Sequence, residues 1–503
     1  MRKRIKRTVL VTTKFSLYWI GFFMLATGFW ISRKFGEPSF EQVLYHLQFG
    51  SEGLLDTDTG LLKSFIRYCI IFPTIPAGLV YFYERFITSL SITGSDVTLN
   101  SSKKLLTGLR QKSWVSIYKL SLFTFKAKLP LTLLVISAIF LLSKVTFWSY
   151  LLNSNESKFI EDNYIAPVSI THKGKKKNLV LIYVESLENT YSNKKIFGED
   201  LLDSINKKTV NAITFKNYRQ TSGTGWTMAG IVSTQCGIPL KSIFLIDENR
   251  QGEKVKTYLG KAVCLGDILN EYGYRNIFMG GASLSFAGKG KFFEEHAYSE
   301  RYGVEEWKAL GEKTFNGWGL YDDTLFSKAK IKVSELEKNN KPYNLNILTV
   351  DTHHPEGHIS QTCKQKGVTE FTGIVKCTSD MLADFIHYMS MNGYLENTNI
   401  VIFGDHLAMV NSVYPKLLKE ENRTVYNKFI ISNTPSKNRE DIHSFSMFPT
   451  ILYSLGFRFK DNRLGLGTSG FGELNNSFQL DTMSEKDLES SLSRPSKKYL
   501  ELW

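Results

Sequence analysis

The chain is poor in cysteine, with five in 503 residues, and it has no internal repeat and no low-complexity tract. Repeat architectures therefore do not apply. With 43% hydrophobic and 22% charged residues, long disorder is also excluded. No aromatic-basic motif of the RNA- or DNA-binding kind occurs, although the net charge of +14 would suggest an anionic partner. Much of the basic excess lies near the N-terminus, where charge reports membrane topology instead. Nucleic acid is set aside on these grounds. No Lys-Ser or Lys-Thr follows the glycines of "TSGTGWTMAG", residues 221–230, which disfavours Walker-type nucleotide binding.

What is present near the N-terminus is apolar. After "MRKRIKR", with five basic residues in seven, Phe15 to Ser32 is uncharged for 18 residues. That length spans a hydrocarbon core of about 30 Å. No small-residue cleavage site follows, so the segment reads as a retained anchor. A second run, Tyr68 to Tyr83, carries Pro73 and Pro76. A third runs from Leu129 to Ser143 and continues past Lys144 through "VTFWSYLL". Between Phe86 and Lys128 seven basic residues face one acid, Asp96, whereas between Arg33 and Gly60 five acids face two basics. The positive-inside rule puts the N-terminus and the 86–128 loop in the cytoplasm. Three spans, at about 12–32, 64–85 and 128–150, then place the rest outside. A false middle span would leave it in the cytoplasm.

Cys69 lies in the second run, and Cys236, Cys264, Cys363 and Cys377 follow the third. Four cysteines allow three pairings. A Cys363–Cys377 bond would close a short polar loop and add about 3 kcal/mol on the chain-entropy estimate. The alternative is four free buried thiols.

Beyond a polar linker at 153–177 the pattern changes. "NLVLIYVES" (178–186), "RNIFM" (275–279), "NLNILTV" (344–350), "NIVIFGDH" (399–406) and "NKFIIS" (427–432) are short apolar runs separated by helical stretches. This alternation indicates an α/β domain over 178–470, with a mainly parallel central sheet and helices on both faces. The tail, 471–503, is polar and is expected to pack loosely.

In such sheets ligands sit beyond the carboxyl ends of the strands. Glu185, Asp405 and His406 stand there and form a candidate site for a divalent ion, Mn²⁺, Zn²⁺ or Mg²⁺. Each has a plainer reading too, since a carboxylate after a strand is often a helix cap. Thr227 lies where "MAGIVSTQCG" starts a helix, a location that favours an alkoxide or a bound phosphate. On chemistry alone it is either a nucleophile or an N-cap. His353 and His354 follow the strand at 344–350, where a histidine can pass a proton or simply face solvent.

The blocks "NLVLIYVESLENTY", "GTGWTMAGIVSTQCGIPL", "GGASLSFAGKGKFF", "NGWGLYDDTLF", "LTVDTHHPEGHISQTC" and "DHLAM" resemble phosphoglycerol transferase I. That family belongs to the alkaline-phosphatase-like superfamily, with lipoteichoic acid synthases and sulfatases. The resemblance covers roughly 175–470, with the six blocks in consistent order. It implies transfer of phosphoglycerol from phosphatidylglycerol onto a threonine, with release of diacylglycerol, and then onto an acceptor hydroxyl. The threonine position falls on Thr227. The metal positions fall on Glu185, Asp405 and His406, with Thr227 as the fourth ligand. The substrate-facing histidine falls on His353 and a phosphate-binding cation on Lys289, for which an exposed surface lysine is the plainer reading.

Two departures matter. Larger relatives with this motif set carry a long further C-terminal region, which leaves the acceptor open. The Cys-x-Pro-x-Arg or Ser-x-Pro-x-Arg motif of true sulfatases is absent, since Cys236 begins Cys-Gly-Ile-Pro-Leu. Aldehyde-based sulfate hydrolysis is thereby disfavoured. The reading is a transferase of the bacterial inner membrane with its catalytic domain in the periplasm and a periplasmic glucan or surface polysaccharide as acceptor. Phosphoethanolamine transfer and an inactive membrane-anchored binding module are the alternatives.

Overall fold

The computed structural model describes residues 2–49, 59–97, 129–152, 155–241, 257–339, 341–432, 435–473, 480 and 483–503. Most of the basic 86–128 loop lies outside the described residues. The chain forms two compact units, one of residues 1–39 with 59–148 and one of 40–58 with 149–503.

In the first unit Thr13–Phe35 and Gly60–Phe86 are long and apolar enough to cross a membrane. Leu129–Ser143 is apolar but only 15 residues long. The second of the long segments changes from α-helix to a π-turn over Ile66–Ile71, just ahead of Pro73. That is where a missing proline N–H would break the ladder. Glu84 is tolerated in this apolar setting because it meets the Lys14 ammonium and accepts a hydrogen bond from the Tyr18 hydroxyl at 3.2 Å.

The second unit is built on a six-stranded sheet. In spatial order its strands are Glu300–Tyr302, Arg275–Gly280, Tyr343–Leu348, Asn178–Val184, Thr398–Gly404 and Asn427–Ile430. All neighbours are parallel except the last pair. The apolar runs are continuous because both faces are buried. Leu179, Leu181 and Tyr183 enter one core, with helices Thr227–Cys236 and Ser444–Ser454. Val180, Ile182 and Val184 enter the other, with helices Asp322–Glu337 and Phe371–Met391. The expected α/β architecture with helices on both faces is the one observed.

Three features were not expected. Glu300–Tyr302 is a strand too short to show as an apolar run. Helix Phe40–Phe49, from between the two long apolar segments, belongs to the second unit. The tail does not pack loosely: Leu488, Leu492, Tyr499, Leu502 and Trp503 are buried in the first core. Its apolar residues are few and spaced one helical turn apart, so a polar composition hid a buried stripe. The four cysteines of this unit form two disulfides, Cys236–Cys264 and Cys363–Cys377, and Cys69 is the free cysteine.

Two glycines let backbones meet at the strand ends. A Cβ on Gly404 would lie 2.0 Å from the Leu187 carbonyl oxygen, and one on Gly230 would lie 2.1 Å from that of Asp405. The second contact seats helix Thr227–Cys236 directly on the turn after the Thr398–Gly404 strand. Neither oxygen can rotate away, because both belong to the main chain. Gly230→Ala should therefore lower unfolding free energy by about 1–3 kcal/mol, the usual range for overpacking. Denaturant unfolding of the full chain checks this, and a midpoint equal to that of the parent would contradict the close approach.

Candidate active site

Adjacent parallel strands carry the acidic groups to one place. Val184 pairs with Gly404 in register, so the residues that follow, Glu185 and Asp405, leave the sheet side by side. Both are buried, as is His406. One ligand-type atom from each of the three lies within 4.8 Å of the others. His406 Nε2 is 3.5 Å from Glu185 Oε1 and 3.6 Å from Asp405 Oδ2.

Each group is held by its neighbours. Asp405 Oδ1 accepts the backbone N–H of Ser186 at 2.8 Å and of His406 at 2.9 Å. Glu185 is fixed through its backbone, whose N–H donates to Thr349 Oγ1 at 3.0 Å and whose carbonyl accepts from Thr352 Oγ1 at 2.6 Å. Ser186 Oγ donates to Glu185 Oε1 at 2.7 Å. His406 Nδ1 lies 2.8 Å from the Leu407 carbonyl oxygen, which can only accept, so Nδ1 carries a proton and Nε2 is the nitrogen that faces the carboxylates.

The electrostatics are those of a site built for a cation. Burial pushes the Asp405 carboxyl up to about 7, and the charge of Glu185 adds to this against the opposing pull of His406, the Ser186 N–H and Thr227. Burial pulls the His406 imidazole down, but Asp405 and Glu185 outweigh it and its pKa is raised. Asp405 Oδ2 is buried with no hydrogen-bond partner among the described residues. An unsatisfied carboxylate oxygen is costly in the interior and is a natural place for a metal ion. The oxygen and imidazole donors here fit a divalent ion.

Thr227 is the first residue of helix Thr227–Cys236, and Trp226 holds the N-cap position. Of the two readings of Thr227, the N-cap is thus not the one adopted. Its hydroxyl instead donates to Glu185 Oε2 at 3.3 Å. Thr224 is engaged elsewhere, since its Oγ1 accepts the Thr221 N–H at 2.9 Å and donates to the Thr221 carbonyl at 2.8 Å, closing the turn.

Lys289 starts helix Lys289–Glu295 and is buried rather than exposed at the surface. Burial pulls its ammonium down to about 8 against the attraction of Glu185 and Asp405. His353 stacks on Trp318 with ring centroids 3.9 Å apart. Its Nδ1 meets the His354 carbonyl oxygen at 2.7 Å, which leaves Nε2 as the accepting nitrogen. Burial, with the cations around it, pulls His353 down to about 3.

Several supporting residues were not found from the sequence. Asp322 accepts the backbone N–H groups of Val350 and Asp351 at 2.7 and 3.1 Å and so shapes the loop that carries His353. Asp351 in turn accepts from Asn316 Nδ2 at 3.2 Å. Glu188 accepts from Arg423 Nε at 3.0 Å and from the Ala408 N–H at 3.0 Å, tying down the chain just beyond His406. "NGWGLYDDTLF" was the sequence signal for Asp322 and Asn316, but a motif does not reveal which of its acids is buried.

The chain is 38% identical over 307 residues to phosphoglycerol transferase I from Escherichia fergusonii, covering 58% of this chain and 39% of that protein. It is 37% identical over 318 residues to phosphoglycerol transferase I from Escherichia coli, covering 61% and 40%. The chain thus spans about two fifths of the length of the curated relatives it matches. The lipoteichoic acid synthase LtaP from Listeria monocytogenes superposes with a TM-score of 0.46 at 17% identity, over 62% of this chain and 81% of that one. The resemblance read from the six sequence blocks is borne out by the curated relatives. Residues 177–457, more than half of the chain, match the Sulfatase family model. That stretch contains the sheet, the helix begun by Thr227 and the buried Glu185–Asp405–His406 cluster, and the chain belongs to the sulfatase family.

Proposed function

We propose that this protein is a membrane-anchored phosphotransferase that moves phosphoglycerol from phosphatidylglycerol to a glycan hydroxyl through Thr227. The observation that carries this reading is the approach of Thr227 Oγ1 to the buried cluster of Glu185, Asp405 and His406. The curated relatives named phosphoglycerol transferase I support the choice of transferred group.

The reaction is two displacements at phosphorus. In the first, Thr227 Oγ1 bonds to phosphorus and the bond to the diacylglycerol oxygen breaks. The threonine proton passes to Glu185 Oε2, and the departing diacylglycerol oxygen takes up a proton from solvent. In the second, an acceptor hydroxyl oxygen bonds to phosphorus and Thr227 Oγ1 departs, taking back the proton from Glu185 Oε2. The proton of the acceptor hydroxyl goes to His353 Nε2, whose basicity the negative phosphoryl group raises, and from there to solvent. Lys289 offsets charge on the phosphoryl oxygens. Glu185, Asp405, His406 and Thr227 would hold a divalent ion, which would supply charge stabilisation and lower the pKa of an oxygen bound to it.

The catalytic unit is assigned to the outer side of the inner membrane. Two disulfides suit an oxidising compartment. Helix Phe40–Phe49 shares a unit with residues 149–503, which supports placing the segment between the first two spans on the same side as the catalytic part. With two crossings before residue 97, that sidedness calls for a third near Leu129–Leu152. The spans then keep the site close to a lipid donor.

Three outcomes test the reading. The purified full chain should hold a divalent ion, and Glu185→Gln and Asp405→Asn should each lower metal content at least tenfold, read by elemental analysis. Undiminished metal in both variants would remove the metal assignment. Labelled phosphatidylglycerol should lose its headgroup in the presence of the protein, and consumption of phosphatidylethanolamine alone would favour phosphoethanolamine transfer. With donor present and acceptor absent, peptide mass spectrometry should find glycerophosphate on the peptide containing Thr227. Thr227→Ala should abolish both the adduct and transfer; full activity in that variant, or an adduct elsewhere, would sink the mechanism.

A further inference from the structure

The two residues ahead of Lys289 both take the left-handed backbone region, Ala287 at φ 56° and Gly288 at φ 69°. Glycine adopts it freely. Alanine does so under strain, and such strain persists only where the surroundings fix it. The turn they make delivers Lys289 to the start of its helix, where its ammonium lies in the field of Glu185 and Asp405. Within the turn the Gly288 N–H donates to the Ser285 carbonyl at 3.3 Å and the Gly290 N–H to the Leu284 carbonyl at 2.7 Å.

A side chain from elsewhere holds the turn from outside. Tyr45 stands on helix Phe40–Phe49, far from the family-matched residues 177–457 in sequence, and it is buried against the catalytic unit. Its hydroxyl donates to the Ala287 carbonyl at 2.8 Å. That carbonyl belongs to the peptide joining the two left-handed residues, so fixing it fixes the turn. A carbonyl only accepts, so the single Tyr45 hydroxyl proton points there, and the Tyr258 hydroxyl donates to the Tyr45 oxygen. Burial pushes the Tyr45 hydroxyl well above the ordinary tyrosine value, so the donor is present throughout the neutral range. The Tyr45 ring also lies 4.6 Å from that of Trp226, the N-cap of the Thr227 helix. One side chain thus touches both the residue before Thr227 and the turn before Lys289.

We propose that Tyr45 is a positioning residue of the active site: through the Ala287 carbonyl it holds the turn that delivers Lys289, and through Trp226 it sets that turn against the start of the Thr227 helix. A helix from between the first two apolar segments then belongs to the catalytic machinery, a role that rests on the transfer reading of Thr227 and Lys289.

The test uses full-length protein in detergent. Tyr45→Phe removes the hydroxyl and keeps the ring on Trp226; Lys289→Met removes the cation. For loss of the headgroup from phosphatidylglycerol, Tyr45→Phe should lower kcat about tenfold, the scale of one lost hydrogen bond. In the Lys289→Met background the same substitution should change kcat by less than about twofold, because its effect runs through Lys289. Deuterium exchange, read without turnover, should quicken in Tyr45→Phe over residues 284–290, where the Gly288 and Gly290 amides report the turn. It should stay at the parent rate in strand Asn178–Val184. Equal loss of kcat in the two backgrounds would overturn the proposal, because that marks packing alone. So would exchange over 284–290 at the parent rate, or quicker exchange in the strand as well. If the parent protein leaves phosphatidylglycerol intact, the transfer reading falls, and the exchange still decides whether Tyr45 holds the turn.

Discussion

Two carboxylates cannot be buried side by side without a counter-charge, and that constraint organises the catalytic unit. Glu185 and Asp405 leave adjacent parallel strands in register, so the sheet itself forces them together. Their mutual repulsion, added to desolvation, drives Asp405 toward its protonated form. His406 and two backbone N–H groups answer part of the charge, and Asp405 Oδ2 stays unmet. A divalent ion is the group that would complete the balance. The same negative field holds Lys289 in the interior as a cation, where burial alone would favour its neutral form.

Holding this arrangement requires support at two further levels. Gly404 and Gly230 let the Leu187 backbone and the Thr227 helix close onto the strand ends, so the hydroxyl and the carboxylates share one rigid frame. Beyond them, buried acids act on backbone rather than on ligand. Asp322 and Asp351 exchange N–H···carboxylate bonds between the helix at 322 and the loop bearing His353. Burial raises both carboxyls, and in Asp351 the neighbouring Asp322 adds to it. Glu188 and Arg423 do the same work for the turn beyond His406, but as a charge pair. A buried pair of this kind is weak evidence for net stability; its clear effect is to fix where Leu407 and Ala408 run.

The sequence made the sheet legible because burial on both faces writes continuous apolar runs, and each of the five expected runs contains a strand. The acidic strand ends were legible for a related reason: Glu185 and Asp405 interrupt apolar runs abruptly, and the structure brings them together in the interior. What stayed hidden depends on partners far away in sequence. Lys289 reads as a surface lysine until Glu185 and Asp405 are brought beside it. Trp503 and Tyr499 read as a polar tail until their few large rings are seen to pack with Tyr258 and Lys241. Tyr45 sits among acids between two apolar segments, where composition speaks only of topology.

The disulfides bear on which chemistry the fold supports. Cys236 is the last residue of the helix begun by Thr227, and its sulfur is bonded to Cys264. A sulfur so engaged is neither a nucleophile nor open to the oxidation that makes an aldehyde. The neighbouring His296 completes a second cluster with these two cysteines, yet disulfide sulfurs are poor metal donors and the imidazole is already bonded to Asp267. Cysteine here therefore serves to staple the Thr227 helix to helix Leu265–Glu271. The oxygen of Thr227, held by the same helix at its other end, is the atom that faces the cluster and the nucleophile proposed above. One helix thus divides its two ends: its C-terminal sulfur is spent on structure, and its N-terminal hydroxyl is left at the carboxylates, as the proposed transfer requires.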